Sequence, residues 1–136
     1  MDLIKVTPDK EKVKSILEMT SLIEERIKPE DKDKFASLII SDYYEIIKEL
    51  MTALLLIEWY KTLSHVDLIN YFKANYKEIN IQEIILVDKL RVLRNRIAYE
   101  GFKIGDDYLK DNEFNFLQII KKLKCLIKKK LGVKNI

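Results

Sequence analysis

Cysteine, histidine, glycine and proline are all scarce in this chain of 136 residues, and each shortage closes off a class of protein. The single cysteine, Cys125, can make no internal disulfide, and the single histidine, His65, leaves no Cys/His cluster to hold a metal. A disulfide-stapled scaffold and a structural zinc site are excluded, and a reducing, cytoplasmic setting is expected. Three glycines and two prolines are too few for the many turns of an all-β fold. The longest uninterrupted apolar run is "ALLLI" at 53–57, far short of the ~20 residues that span a bilayer, and no basic-then-apolar leader opens the chain. No Gly-rich phosphate loop, Ser/His/Asp set or metal-ligand spacing occurs, so no cofactor is implied.

What is present is a high hydrophobic share, 48%, beside a high charged share, 35%. This length suits one domain with a core large enough to need no staple. The net charge of +3 is too small to imply nucleic acid by itself. No segment alternates with a period of two, whereas spacings of three and four recur throughout, which predicts an all-α, up-and-down bundle of about five helices.

The first helix is expected to start with Thr7 as N-cap and Pro8 at the first helical position, with Val13, Ile16, Leu17, Thr20 and Ile23 on its apolar face. A long second helix is expected over about 30–62. Past residue 53 it is apolar nearly all round and needs cover on every side. Ser64 followed by Asp67 reads as the start of a third helix, with His65 in its first turn. The fourth is expected over about 80–99, and Asp111 is expected to cap a last helix running to about Leu131.

The fourth helix carries the most informative stretch, "RNRIAYEG" at 94–101. Leu86, Leu90, Leu93 and Ile97 fall within an arc of about 60° and read as the core face. Ile84, Val87 and Ala98 lie on the other side among Arg91, Arg94 and Asn95, which suggests a second burial surface, most simply against another copy of the chain. Asn95 and Tyr99 share a face. Arg94 and Tyr99 stand about 140° apart, so they meet only if the helix loosens near Gly101 or if they come from two subunits. On spacing alone, Arg94 and Arg96 equally well complement the negative helix end, with Tyr99 an interface aromatic.

"LRNRIAYEG" after an apolar helix, together with "SDYYEIIKELMTALLLIEWY" upstream, resembles the HEPN domain family over most of the chain, most clearly across 30–131. The resemblance implies a single helical domain over 1–136 and a homodimer. It also implies a metal-independent endoribonuclease of the kind found in toxins paired with nucleotidyltransferase antitoxins. The family's mark is an Arg, usually followed by a polar residue, with a His five to seven positions after the Arg. By similarity Arg94 takes the Arg place, Asn95 the polar place and Tyr99 the place of the His. In the family the Arg holds a phosphate and the His assists attack of the ribose 2′-hydroxyl, across a cleft between subunits.

Tyrosine in the His place changes the chemistry. With a reference pKa near 10 against about 6.5, roughly one phenol in a thousand is ionised at pH 7, so tyrosinate as base costs about 4 kcal/mol before any chemistry. Binding of RNA or nucleotide survives this change more easily than cleavage, and the expected enzyme is a weak or lapsed one. In one toxin branch a Tyr two residues past the His is modified with AMP. Gly101 stands there and offers no acceptor.

Glu45 on the second helix reads either as the acid that orients Arg94, with Arg91 and Glu100 in support, or as part of a solvated face. The stretch "KKLKCLIKKKLGVKNI" holds seven lysines and no acid, which suits either a solvated face or an unspecific phosphate contact. His65 is a candidate for the missing base, but it sits in the first turn of a different helix from the motif and reads as structural. Trp59 and Tyr60 read as core or interface, and Cys125 lacks a base or resolving thiol beside it. The alternative to an RNA- or nucleotide-binding protein is a non-enzymatic dimerisation module in which the motif is structural.

Overall fold

A computed structural model describes residues 3–132 of the chain. Five helices and one minimal sheet follow in the order β1 (Ile4–Lys5), α1 (Lys10–Ile27), α2 (Ala36–Ile57), β2 (Tyr60–Lys61), α3 (His65–Asn75), α4 (Ile81–Glu100) and α5 (Asp106–Leu131). The all-α expectation is met. The small exception is an antiparallel pairing of β1 with β2, Ile4 opposite Lys61 and Lys5 opposite Tyr60.

α2 is the axle of the bundle. Ile39, Ile46, Ile47 and Leu50 are wholly buried along one side, and Ala53, Leu54, Leu55 and Leu56, four successive residues that point to every side of the helix, are all buried. The apolar character around all sides of this segment is therefore met by cover on all sides: α1, α4 and α5 pack along it, and α3 and β2 close its far end. The apolar stripe of α5, Phe116, Ile120, Leu123 and Ile127, is buried as its spacing predicts.

Helix limits differ from expectation where local chemistry intervenes. α1 is capped by Asp9, not Thr7: the Asp9 carboxylate accepts the N–H groups of Glu11 and Lys12 at 3.0 and 3.2 Å. Asp31 accepts from the N–H groups of Asp33 and Lys34 and holds a separate turn, so the second helix begins only at Ala36. It ends at Ile57 because Trp59 adopts φ 74°, a left-handed conformation costly for a bulky residue. α5 starts at Asp106, with Asp106 and Asp107 favouring its positive end, so Asp111 lies inside the helix and not at its cap. The Ser64 cap falls as read, its Oγ accepting the N–H of Asp67. α4 starts where expected, and there Asn80 with Glu83 forms a reciprocal capping box at 2.9 and 3.0 Å.

The lysine block does not form a uniform charged face. Lys122 pairs with Glu83 of α4 and Lys124 with Glu24 of α1, each at 2.7 Å, and Lys130 pairs with Glu58 just after α2. Lys121, Lys128 and Lys129 have no such partner among the described residues. Lys134 and the rest of 133–136 lie outside the described residues.

Candidate functional site

α4 is regular through Glu100, where Gly101 turns left-handed at φ 64° and gives its N–H to the carbonyl of Arg96. The loosening that would bring Arg94 and Tyr99 of one chain together is absent, and they point about 140° apart. Arg96 is engaged at this helix end, its guanidinium 3.8 Å from the centre of the Phe102 ring and its Nε 3.3 Å from Glu100. Glu100 therefore serves the helix terminus and not Arg94.

The buried arc of α4 is turned by part of a turn from its expected position. Leu90 is buried as read, but Ile84 and Val87, expected on a second surface, are buried beside it, while Leu86, Leu93 and Ile97 are only half-buried at the edge of the bundle and Ala98 is exposed. The unpartnered side carries Ile81, Ile85, Val92 and Tyr99, which are 50%, 43%, 43% and 79% exposed. Since α4 has apolar residues on all sides, the arc that meets the bundle is chosen by the packing of α2 and α3. With Asp88 and Asn95 between them, the outward residues follow spacings of 4, 3, 4, 3 and 4, the repeat of a coiled-coil seam.

Arg94 lies on the bundle-facing side, half-buried, and makes no hydrogen bond or ion pair among the described residues. The nearby cations are already matched: Arg91 Nε donates to Asp88 at 2.9 Å, and Lys48 Nζ lies 2.6 Å from Glu45 and 3.3 Å from Glu49. Glu45 thus neutralises Lys48 and does not hold Arg94, contrary to the sequence expectation. Arg94 is the cation left over. Asn95 is likewise half-buried and unpaired among the described residues.

His65, read from the sequence as structural because it lies on a different helix from the motif, joins this cluster. It opens α3, and its Nδ1 lies 3.0 Å from the hydroxyl of Tyr44 on α2. Tyr44 is fully buried, and burial raises its pKa to about 12 against the opposing pull of Arg91 and Arg94. The phenol is therefore neutral at ordinary pH. Having no other partner among the described residues, its O–H donates to Nδ1, which places the proton of neutral His65 on Nε2. His65 is largely exposed, but partial desolvation of its ring, then the charges of Lys48, Arg94 and Arg91, lower its pKa, with Glu45 opposing them. Arg94 thus has an electrostatic neighbour from a helix more than twenty residues upstream, while Tyr99 points away from both.

The sign of the His65 effect can be checked on stability. A lowered folded pKa means that the unfolded chain takes up the proton first as pH falls. This contribution to stability is complete above the ordinary value of 6.5 and is lost as pH drops through the lowered folded value. His65→Gln is expected to flatten the urea midpoint–pH curve below pH 6.5 relative to the parent, and equal slopes would contradict it.

Among the described residues, no three His, Cys, Asp or Glu side chains gather to hold a metal ion, and no helix is long and apolar enough to cross a membrane. The chain matches no family model, no curated protein and no solved structure.

Proposed function

We propose that the chain is an RNA- or nucleotide-binding homodimer of HEPN type, in which Arg94 engages a phosphate beside the interface and Asn95 supplies a neutral polar contact. The observation that carries this reading is the half-buried, unmatched guanidinium of Arg94 amid cations that are each locally neutralised. Keeping a cation poorly solvated and unpaired costs free energy, and an anionic ligand relieves that cost. The apolar seam of α4 supports the dimer, since a second copy covers it with a matching seam about a two-fold axis. In that dimer Tyr99 of one subunit approaches the cleft from the seam side. A neutral phenol donates a hydrogen bond to phosphate but is a poor base, so cleavage is weak or lapsed. A nucleotidyltransferase-type antitoxin is the companion that the resemblance implies.

A non-enzymatic dimerisation module is the second reading, and the seam favours it equally. Incubation with total RNA in EDTA separates the two. Cleavage by the parent that vanishes in Arg94→Ala makes the protein a metal-independent ribonuclease, and cleavage only by Tyr99→His reveals an intact cleft lacking its base. Arg94→Ala is expected to lose at least tenfold in affinity for single-stranded RNA while its melting temperature stays within about 2 °C. A strictly monomeric parent at micromolar concentration would overturn both readings.

A further inference from the structure

The sequence motif supplies no imidazole, yet where α2, α3 and α4 pack together the protein's one histidine comes within electrostatic range of the motif arginine. Three elements meet there: Tyr44, Glu45 and Lys48 of α2, His65 at the start of α3, and Arg91 and Arg94 of α4. The Tyr44–His65 contact fixes more than position. The buried phenol occupies Nδ1 at 3.0 Å, and the ring centres lie 5.9 Å apart, so the imidazole is held by its inner edge. Its outer nitrogen, Nε2, carries the proton, and His65 itself is exposed. His65 is the first residue of α3, at the positive end that Ser64 caps.

We propose that His65 and Arg94 form one oxyanion site for a phosphoryl group, with His65 donating its Nε2–H to a phosphoryl oxygen while Tyr44 holds Nδ1. This rests on the reading of Arg94 as a phosphate-binding residue and adds the group that touches the phosphate from α3. Arg94 supplies the charge and His65 the directed donor. Arg91 and Lys48 add positive potential but keep their own acids, Asp88 for the first and Glu45 with Glu49 for the second. Protonation of His65 places a hydrogen on Nδ1, turning the phenol from donor to acceptor and leaving its own O–H without its partner. An oxyanion at Nε2 opposes that cost. Anion binding and proton uptake are therefore coupled, and binding strengthens as pH falls below 7.

The test uses the imidazole as its own reporter, because a protein with one histidine gives one pair of ring nitrogens in a long-range 15N–1H spectrum. The probes are inorganic sulfate, which keeps its charge throughout this range, and octauridylate followed separately by fluorescence anisotropy. The parent is expected to show the Nε2–H tautomer before addition. Sulfate should shift Nε2 more than Nδ1 and raise the His65 pKa, and both responses should disappear in Arg94→Ala. Toward octauridylate His65→Ala should lose about tenfold in affinity. His65→Gln, which keeps a donor near the Nε2 position, should retain most of it and show no strengthening below pH 7. A structural role alone would not produce that rescue.

The two readings fail differently. If octauridylate binds in an Arg94-dependent way while the His65 nitrogens respond to neither probe, the joint site is overturned and the RNA reading stands. If sulfate moves Nε2 through Arg94 but octauridylate does not bind, the oxyanion site stands and the RNA reading falls. The opposite tautomer, or silence toward both probes, overturns the joint site.

Discussion

Val92→Asp is expected to turn the proposed dimer into a monomer that remains folded. Val92 sits in the middle of the outward stripe of α4 and is 43% exposed in the single chain, so a carboxylate there costs the isolated bundle little. Across a two-fold seam the same change buries two like charges close to each other, with Asp88 of each chain nearby. An apparent dimer constant weakened by a factor of 100 or more corresponds to about 3 kcal/mol. Sedimentation equilibrium over a dilution series reads the constant, and far-ultraviolet circular dichroism reads the helices. Ile84→Asp is the contrasting case: Ile84 is 5% exposed in the bundle, so the variant should unfold and not merely dissociate. If Val92→Asp associates like the parent, the stripe is not the interface.

The second large effect concerns the joint between α2 and α5. Tyr43 is 3% exposed, and its hydroxyl donates to Glu113 at 2.7 Å. The same carboxylate receives Lys32 Nζ at 2.8 and 2.9 Å. Burial, then the hydrogen bond to Glu113, raises the Tyr43 pKa well above its ordinary value, so the phenol stays a donor across the working range. Glu113→Ala leaves that donor buried without an acceptor. The expected loss is about 2–3 kcal/mol, or a melting temperature lower by roughly 8 °C, with only a small part due to the more exposed Lys32. Tyr43→Phe combined with Glu113→Leu should recover much of the loss, because removing both polar partners leaves no orphan. Urea unfolding of the parent, Tyr43→Phe, Glu113→Leu and the double variant gives the coupling. A Glu113→Ala variant within about 0.5 kcal/mol of the parent would contradict it.

These two sites also mark what a sequence can and cannot convey. α1 and α5 are legible because each buries one face, so a spacing of three and four residues suffices. The second helix was legible in its core and not at its ends, which depend on the Asp31 turn and the left-handed backbone of Trp59. α4 was legible as an element but not in orientation, since apolar residues all round it leave the choice of inner face to neighbouring helices. Arg94 was visible through its motif. His65 was not, because its approach to Tyr44 and Arg94 arises from the crossing of three helices and leaves no periodic trace. Glu45 fails as a partner of Arg94 because Lys48, one turn along, reaches it first.

The ion pairs of α5 set an upper limit on how salt acts upon any polyanion bound along that helix. Lys122, Lys124 and Lys130 are held by acids from three other parts of the bundle, so among the described residues of the lysine block only Lys121, Lys128 and Lys129 are open to a phosphate backbone without breaking internal contacts. Three phosphates neutralised on a single strand release about two condensed counterions, so a plot of log affinity against log salt has a slope near −2 from this helix. A much steeper slope would mean that the bundle exchanges its own carboxylates for phosphates, and that nucleic acid loosens the fold it binds.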